Sequence, residues 1–176
     1  MTRELAQVGT PIGPFRAIVV DGALVTAGFL GTRGRARALR DSAGVHDVLA
    51  EYFAGDIDAL EALAVAPQGT EFRQLVWKAL REVRAGETIS YGELAARVGA
   101  PLAARAVGSA NATNPICLVI PCHRVVRSDG TLGGYGFGVD RKRWLLRHES
   151  RPGGLFDDAK RPASTSRRLS SSFGTF

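Results

Sequence analysis

The stretch NPICLVIPCHRVV contains both cysteines of the chain and one of its three histidines. Cys122 lies between a proline and His123, directly after an apolar run. A free cysteine is often a small buried hydrophobe, which is the competing interpretation of this residue. An imidazole beside a thiol can take its proton near neutral pH, and the resulting thiolate is a strong nucleophile. The residue types therefore indicate nucleophilic chemistry at Cys122.

A histidine that acts as a base usually needs a third group to hold its tautomer and orientation. Glu149 is the preferred candidate for this group, with Asp129 and Asp140 as rivals. The other thiol, Cys117, lies five residues before Cys122, and the chain contains no CxxC pair. This spacing argues against a thiolate-rich zinc site, and we expect no structural disulfide in a reducing compartment. We interpret Cys117 as core, with a redox or secondary reactive thiol as the alternative.

A mixed α/β chain must position these residues. FRAIVVDGALVTAGFL has two β-rich runs around Asp21 and Gly22, a pair typical of a tight hairpin turn. VHDVLAEYFAG predicts a helix that ends at Gly55. TEFRQLVWKALREVRAG predicts a longer helix with Thr70 as N-cap and Gly86 as its end. The predicted buried face of this helix is formed by Phe72, Leu75, Val76, Ala79, Leu80 and Val83.

SYGELAARVGAPLAARAVGSANAT predicts two short helices joined by a tight turn. Ser90 and Glu93 have the spacing of a capping box, Gly99 ends the first helix, and Pro101 begins the second. This pattern is typical of a helix-turn-helix motif. The second helix consists mainly of small residues, so it can lie close to a packing partner or in a nucleic-acid groove.

Three further segments complete the organisation. CLVI predicts a short strand, and DRKRWLLRHE predicts a last helix with Trp144, Leu145 and His148 facing inward. Residues 151–176 are rich in Ser, Arg, Pro and Gly and are predicted to form a disordered basic tail.

The composition indicates a globular protein of 176 residues, 45% hydrophobic and 23% charged. No stretch approaches the roughly 18 apolar residues of a membrane span, and the first residues lack the apolar core of a signal peptide. We therefore expect a cytoplasmic protein without membrane contact. The net charge of +6 favours a polyanionic partner, but five basic and two acidic residues of the tail account for half of it. The basic loop RGRARALR at 33–40 is interpreted as solvated, with DNA contact as the alternative.

IPCHRVV resembles the active-site motif of the O6-alkylguanine-DNA alkyltransferases, the methylated-DNA–protein-cysteine methyltransferases. The segment from GTEFRQLVWKALREV to SANATNP and the segment GYGFGVDRKRWLLRHE are similar to the same family, so the resemblance covers about 69–149. It implies an α/β fold with two domains. Residues 1–66 would form a small β-sheet with helices (ribonuclease H-like), and residues 67–150 a mostly helical, winged-helix-like domain with the helix-turn-helix. The tail at 151–176 has no counterpart.

The resemblance implies a role for each matching residue of the site. Cys122 would accept the alkyl group, His123 would take the thiol proton through a water, and Glu149 would orient His123. Asn114 would support the site from a turn, and Tyr91 would donate a proton toward the leaving base. The walls of the base pocket would be Tyr135 with Gly133, Gly134 and Gly136.

The resemblance also implies DNA binding by the helix-turn-helix in the minor groove. Arg105 would enter the base stack as the damaged nucleotide flips out. The other implied DNA contacts are Tyr91, Ala103, Ala104, Gly108, Ser109 and Arg124.

The implied activity is DNA repair by irreversible transfer of an alkyl group to the protein's own cysteine, once per molecule. The implied partner is double-stranded DNA with O6-alkylguanine, with O4-alkylthymine as a second candidate substrate, bound by a monomer. No cofactor is expected, and no metal, because the N-terminal part has no cysteine and a single histidine, His46. The alternatives are a non-catalytic alkylated-DNA sensor, a Cys-His hydrolase and a helix-turn-helix regulator with an incidental thiol.

Overall fold

The computed structural model of the chain describes residues 1–30 and 44–150. The predicted basic loop at 33–40 and the predicted tail at 151–176 lie outside these residues. The described part is α/β, as predicted. Its strands are β1 (Arg3–Val8), β2 (Phe15–Val20), β3 (Ala23–Phe29), β4 (Ile89–Ser90) and β5 (Val125–Val126). Its α-helices are α1 (Val45–Ala54), α2 (Glu71–Arg81), α3 (Tyr91–Arg97), α4 (Ala104–Ala112) and α5 (Val139–His148).

The first three strands form an antiparallel sheet in the order β1-β2-β3. The predicted hairpin turn is confirmed, because Asp21 and Gly22 both have positive φ angles, 47° and 82°. A two-residue turn of this kind matches the twist of the strands that it joins. Along β2 every second residue is buried, since side chains alternate between the two faces of a strand.

Helix α2 begins as predicted but ends earlier. The hydroxyl of Thr70 accepts a hydrogen bond from the backbone N–H of Arg73, which confirms the N-cap. The helix ends at Arg81 rather than near Gly86, and Glu82 is its C-cap. The chain therefore leaves α2 one turn before the glycine and reaches β4 through a loop.

The buried face of α2 also differs from the prediction at two positions. Leu75 is 49% exposed, whereas Trp77 is only 2% exposed. The indole N–H of Trp77 donates to the backbone carbonyl of Ala110, 2.8 Å away in α4. Packing against α4 thus turns the tryptophan inward, which the apolar spacing of α2 alone does not indicate.

The helix-turn-helix is formed by α3 and α4. The predicted capping box is confirmed, with Glu93 N donating to Ser90 Oγ and Ser90 N donating to Glu93 Oε2. Gly99 follows α3 with a φ of 76°, as expected for a helix end. The second helix begins at Ala104 and not at Pro101, because the residues between them form a turn.

The segment CLVI is a turn and not the predicted strand. The N–H of Cys117 donates to the carbonyl of Ala27 in β3, which makes one isolated bridge. Leu118 then has a φ of 74°, which reverses the chain. After this reversal the Pro-Cys-His segment leads into β5. This strand pairs in parallel with β4, which directly precedes α3.

The last helix, α5, packs Trp144, Leu145 and His148 against the rest of the protein, as predicted. Leu145 is buried, but Trp144 and His148 are only half-buried. They stack on each other and pack against the aromatic rings of α1. The buried positions of α5 and its C-cap are Lys142, Leu145, Leu146 and Glu149.

The buried apolar residues of the sheet, of α1 and of the C-terminal helices form one contiguous cluster. None of the helices in the described ranges is long and apolar enough to cross a membrane. The division at residues 66 and 67 stays a prediction.

Candidate active site

Cys122 begins a short 3-10 turn, Cys122–Arg124, and lies in the wall of a cavity of about 250 Å3. The turn leads directly into β5, which pairs with β4. The cavity is lined by Tyr91, Gly108, Asn111, Ala112, Asn114, Cys122, Gly134, Tyr135, Gly136 and Phe137. It therefore brings together residues from α3, α4, the cysteine turn and the glycine-rich loop.

His123 lies directly behind the cysteine and contacts one acid. Its Nε2 is 3.0 Å from Oε1 of Glu149, and both side chains are buried. The two rival acids are exposed and bonded elsewhere, Asp129 to Thr131 and Asp140 to Arg143. Glu149 is thus the acid that the fold brings to the histidine.

The protonation of His123 follows from its surroundings. Burial lowers the pKa of His123 despite the opposing charge of Glu149, so the imidazole is neutral near pH 7. The neutral ring then donates from Nε2 to Glu149 and leaves Nδ1 as an acceptor. Nδ1 has no hydrogen-bond partner among the described residues. The ring therefore retains one nitrogen that can accept a proton.

The carboxylate of Glu149 is the centre of a buried network. It accepts hydrogen bonds from the Tyr52 hydroxyl at 2.7 Å and from two nitrogens of Arg124 at 2.9 Å. Burial alone would raise the pKa of Glu149, but His123 and Arg124 outweigh it and hold the pKa well below its usual range. The site thus contains a carboxylate that stays ionised although it is buried.

The position of Arg124 corrects its predicted role as a DNA contact. Its side chain is buried, and its third nitrogen donates to the carbonyl of Val83 at 2.5 Å. All three guanidinium nitrogens are therefore occupied by partners inside the protein. Its positive charge pairs with the carboxylate of Glu149 and not with a DNA phosphate.

The surroundings of Cys122 favour its thiolate. Its pKa is lowered, chiefly by a hydrogen bond with Cys117; burial opposes this, and Asn114 and the charge of Lys142 contribute to the lowering. The side chain of Asn111 donates to the backbone carbonyl of Cys122 at 3.4 Å. The sulfur is thus more acidic than an ordinary buried thiol.

Asn114 supports the turn that precedes the cysteine, as the sequence predicts by position. Its amide nitrogen donates to the carbonyl of Ile120 at 2.7 Å, and its amide oxygen accepts from the N–H of Ile116 at 2.9 Å. These two bonds close the CLVI turn on itself. The asparagine therefore holds the backbone that carries Cys122.

Lys142 is a member of the site that the sequence analysis missed. Its ammonium group is buried and donates to three backbone carbonyls, those of Val125, Leu132 and Gly134. Burial lowers the pKa of Lys142 to about 8, although the charge of Cys122 opposes this. Lys142, Leu145 and Glu149 are spaced along α5 as residues of one helical face. This spacing could have indicated from the sequence that Lys142 is buried.

Tyr91 begins α3 and forms one side of the cavity. Its ring packs against Gly108, and its hydroxyl lies close to Gly133. Burial and then the charge of Cys122 raise the pKa of Tyr91, so the hydroxyl remains protonated and can donate. Gly133 contacts this tyrosine and is not itself a wall of the cavity.

The opposite side of the cavity is the glycine-rich loop. Tyr135, Gly134 and Gly136 line it as predicted by position, and Phe137 is an additional wall residue that the sequence analysis missed. The Phe137 ring packs so closely on β3 that a Cβ atom at Gly28 would lie 2.8 Å from it. The glycine in β3 thus makes room for the aromatic ring.

Comparisons with known proteins match the same part of the chain. Residues 71–151 match the family described as 6-O-methylguanine DNA methyltransferase, DNA binding domain. A methylated-DNA–protein-cysteine methyltransferase of Salmonella typhimurium is 55% identical over 106 residues, which are 60% of this chain and 62% of that protein. The structure of Mycobacterium tuberculosis OGT in complex with DNA is 42% identical, with a TM-score of 0.71, over 82% of this chain and 92% of that one. The chain belongs to the methylated-DNA–protein-cysteine methyltransferase family.

A second methyltransferase structure extends the match. The Mycobacterium tuberculosis O6-methylguanine methyltransferase is 37% identical with a TM-score of 0.71, over 91% of this chain and 96% of that one. The α/β fold is therefore shared along nearly the whole solved structure. In sequence, this chain spans 62% of the length of the curated Salmonella methyltransferase.

In this member of the methyltransferase family, α4 contributes both to the cavity and to the protein surface. Arg105 and Ser109 are exposed on its outer side, whereas Ala103, Ala104 and Gly108 are half-buried. The other side of α4 lines the cavity. The DNA contacts remain proposals.

A larger apolar groove of about 830 Å3 lies between residues 61–68 and α2. Neither a cysteine nor a histidine lines it, so it is not a second methyltransferase-type site. In the described part of the chain, no three His, Cys, Asp or Glu side chains lie close enough together to hold a metal ion.

Proposed function

We propose that this chain repairs DNA by transferring the alkyl group of O6-alkylguanine to Cys122, once per protein molecule. Family membership supports the reaction class. The observation that carries the proposal is a thiol of lowered pKa that opens into a cavity of about 250 Å3 beside the helix-turn-helix. A non-catalytic alkylated-DNA sensor, the alternative, has no use for such a thiol.

The residues of the cavity supply the parts of a displacement reaction. The proton of the Cys122 thiol passes through a water to Nδ1 of His123, and Glu149 holds the imidazole in the required tautomer. The thiolate attacks the alkyl carbon, the bond from that carbon to O6 breaks, and the electron pair stays on the guanine. Tyr91 donates a hydrogen bond to the departing base, which finally gains the proton that the thiol lost.

The product explains the limit of one turnover. A thioether forms at Cys122, and water does not cleave a carbon–sulfur bond under mild conditions. The proton and electron balance is complete without a further reactant, so no cofactor is proposed. The protein is consumed as its own alkyl acceptor.

Access to the lesion requires base flipping, because the alkyl group lies inside the duplex. Extrusion of a base costs roughly a few kcal/mol, and an inserted side chain offsets part of that cost. We assign the insertion to Arg105, which is exposed at the start of α4. The small exposed residues of α4 suit close approach in the minor groove without sequence-specific contacts.

The remaining features of the proposal concern the whole protein. The first domain would be ribonuclease H-like and the second winged-helix-like. The protein would act as a monomer in the cytoplasm, where reducing conditions keep the acceptor as a thiol. O4-alkylthymine is the second candidate substrate.

The test is the intact mass of the protein after incubation with duplex DNA that contains one O6-methylguanine. The expected result is one methyl group per protein, located on Cys122 by peptide mapping, and none with an unmodified duplex. A methyl group on Cys117, or repair of many lesions per protein, would contradict the proposal. Tight binding of methylated DNA without a mass change would identify the sensor instead.

A further inference from the structure

Cys117 is a second buried thiol that the proposed reaction leaves without a role. Its side chain is fully buried, and its backbone N–H is anchored to the carbonyl of Ala27 at 2.8 Å. Its sulfur lies 2.9 Å from the hydroxyl oxygen of Tyr135. Its side chain also lies close enough to Cys122 to affect the acidity of that thiol as a hydrogen-bond partner. The three groups therefore form a chain that ends at the acceptor sulfur.

The direction of the hydrogen bonds in this chain follows from the acidity of its members. Burial raises the pKa of Cys117 well above its usual value and also strongly raises the pKa of Tyr135. The pKa of Cys122 is lowered. Cys122 is thus the first of the three to ionise. The Tyr135 hydroxyl then donates to the Cys117 sulfur, and the Cys117 S–H donates to the Cys122 sulfur.

We propose that Cys117 is a positioning residue for alkyl transfer: its S–H donates to the acceptor sulfur, and the Tyr135 hydroxyl fixes the direction of that S–H. The role rests on the proposed function, since it prepares Cys122 as the nucleophile. Hydrogen bonds to an ionised acceptor are about twice as strong as those between neutral groups. Loss of the donor therefore affects the thiolate more than the neutral thiol.

Other ionisable groups also surround Cys122. His123 follows it in the chain, Tyr91 faces it from α3, and Lys142 contributes charge from α5. A substitution at Cys117 leaves these groups in place. A change in the titration of Cys122 can then be assigned to the missing S–H.

The test compares Cys117→Ala with Cys117→Ser in the full chain, with the pH dependence of iodoacetamide labelling at Cys122 as the readout. Peptide masses separate labelling of the two cysteines. Alanine removes the donor, so the midpoint should rise by about one pH unit, a tenfold loss of reactivity below the midpoint. Serine keeps an O–H donor and should restore most of the reactivity. Equal midpoints in the parent and the alanine variant would overturn the proposal.

A third variant separates hydrogen bonding from packing. Tyr135→Phe keeps the ring and removes the hydroxyl, so the midpoint should rise in the same direction but by less than in Cys117→Ala. A purely structural role would lower the melting temperature of the alanine variant without moving the midpoint of the labelling profile. That result would also overturn the proposal, and Tyr135→Phe still tests it if the alanine variant does not fold.

The labelling assay needs no alkylated DNA, so it distinguishes the two proposals. If the midpoint moves but no methyl group is ever transferred, the proposed function fails and the hydrogen-bond chain stands. If transfer occurs and the midpoint is unchanged, only the role of Cys117 fails. The rate of reaction with free O6-benzylguanine should fall about tenfold in Cys117→Ala at the same pH, and serine should restore it.

Discussion

Two regions adjoin Cys122 and its cavity and differ in their exposure. One is the ionisable cluster that begins directly after the cysteine (His123, Arg124, Lys142 and Glu149), and the other is helix α4, which lines the cavity and has an exposed outer face. Every member of the cluster is buried and hydrogen-bonded within the protein. The outer face of α4 is exposed and consists mainly of small side chains, with Arg105 as its charged residue. The ionisable groups are thus organised before any partner binds, whereas in the proposed function recognition of DNA is left to the exposed face of α4.

The largest expected effect is at the boundary of these two regions, at Cys122. Cys122→Ser should abolish alkyl transfer, because a serine hydroxyl does not ionise near neutral pH. Binding to DNA should stay within a few-fold, since the outer face of α4 is unchanged. Intact mass and a gel-shift titration measure the two quantities. Residual methylation of the serine variant at another residue would show that Cys122 is not the sole acceptor.

Within the ionisable cluster, Glu149→Gln should lower the free energy of unfolding by about 3–5 kcal/mol, the scale of a broken buried ion pair. The charge of Arg124 would be left without its carboxylate, and the single amide oxygen of glutamine could not accept all the hydrogen bonds from Tyr52, His123 and Arg124. Urea unfolding measures the loss, with exposed Glu51→Gln as the matched control. A loss below about 1 kcal/mol would show that the cluster relaxes around the substitution.

The lowered pKa of Glu149 predicts that the free energy of unfolding depends on pH. Its pKa is depressed in the folded state, so its contribution is complete above the ordinary glutamate pKa of about 4.3 and is lost as the pH falls through the lower folded value. Unfolding free energy of the parent should therefore fall steeply below about pH 4. The Glu149→Gln variant should show a flatter slope in this range, and parallel slopes would contradict the assignment.

On the outer face of α4, Arg105→Ala should reduce repair of duplex DNA by about 1–3 kcal/mol at saturating DNA, the scale of a lost stacking contact. Reaction with free O6-benzylguanine should be nearly unchanged, because a free base needs no flipping. Exposed Arg97→Ala, at the end of α3, is the control for a simple phosphate contact, which changes affinity and its salt dependence. Normal repair of saturating duplex by Arg105→Ala would refute the insertion.

The smallest effect is expected where the first part of the chain contacts the cluster. Tyr52→Phe removes one of the hydrogen bonds to Glu149, while His123 and Arg124 remain bonded. Unfolding free energy should fall by about 1 kcal/mol, with the transfer rate within twofold. A loss as large as that of Glu149→Gln would mean that Tyr52, and not the ion pair, is the main support of the carboxylate.

The features predicted correctly from the sequence depend on residues close together in the chain. The hairpin at Asp21-Gly22 and the Ser90–Glu93 capping box each involve backbone and side chains within a few residues, so local chemistry determines them. Cys122 and His123 are also close together in the chain, and their roles as nucleophile and base stay proposals. Helix α4 was placed three residues too early because Pro101 is equally suited to a turn.

The features that the sequence left open depend on contacts between distant segments. Which acid reaches His123 is decided across 26 residues, and the Tyr52–Glu149 bond spans 97. Arginine and lysine usually lie at the surface, but Arg124 and Lys142 are buried. Backbone carbonyls and a carboxylate form hydrogen bonds with them that replace their lost hydrogen bonds to water. The sequence by itself determined that a thiol and an imidazole are adjacent, at Cys122 and His123. Only the tertiary structure decided which charges are buried with them, because burial and pairing are properties of the packed chain.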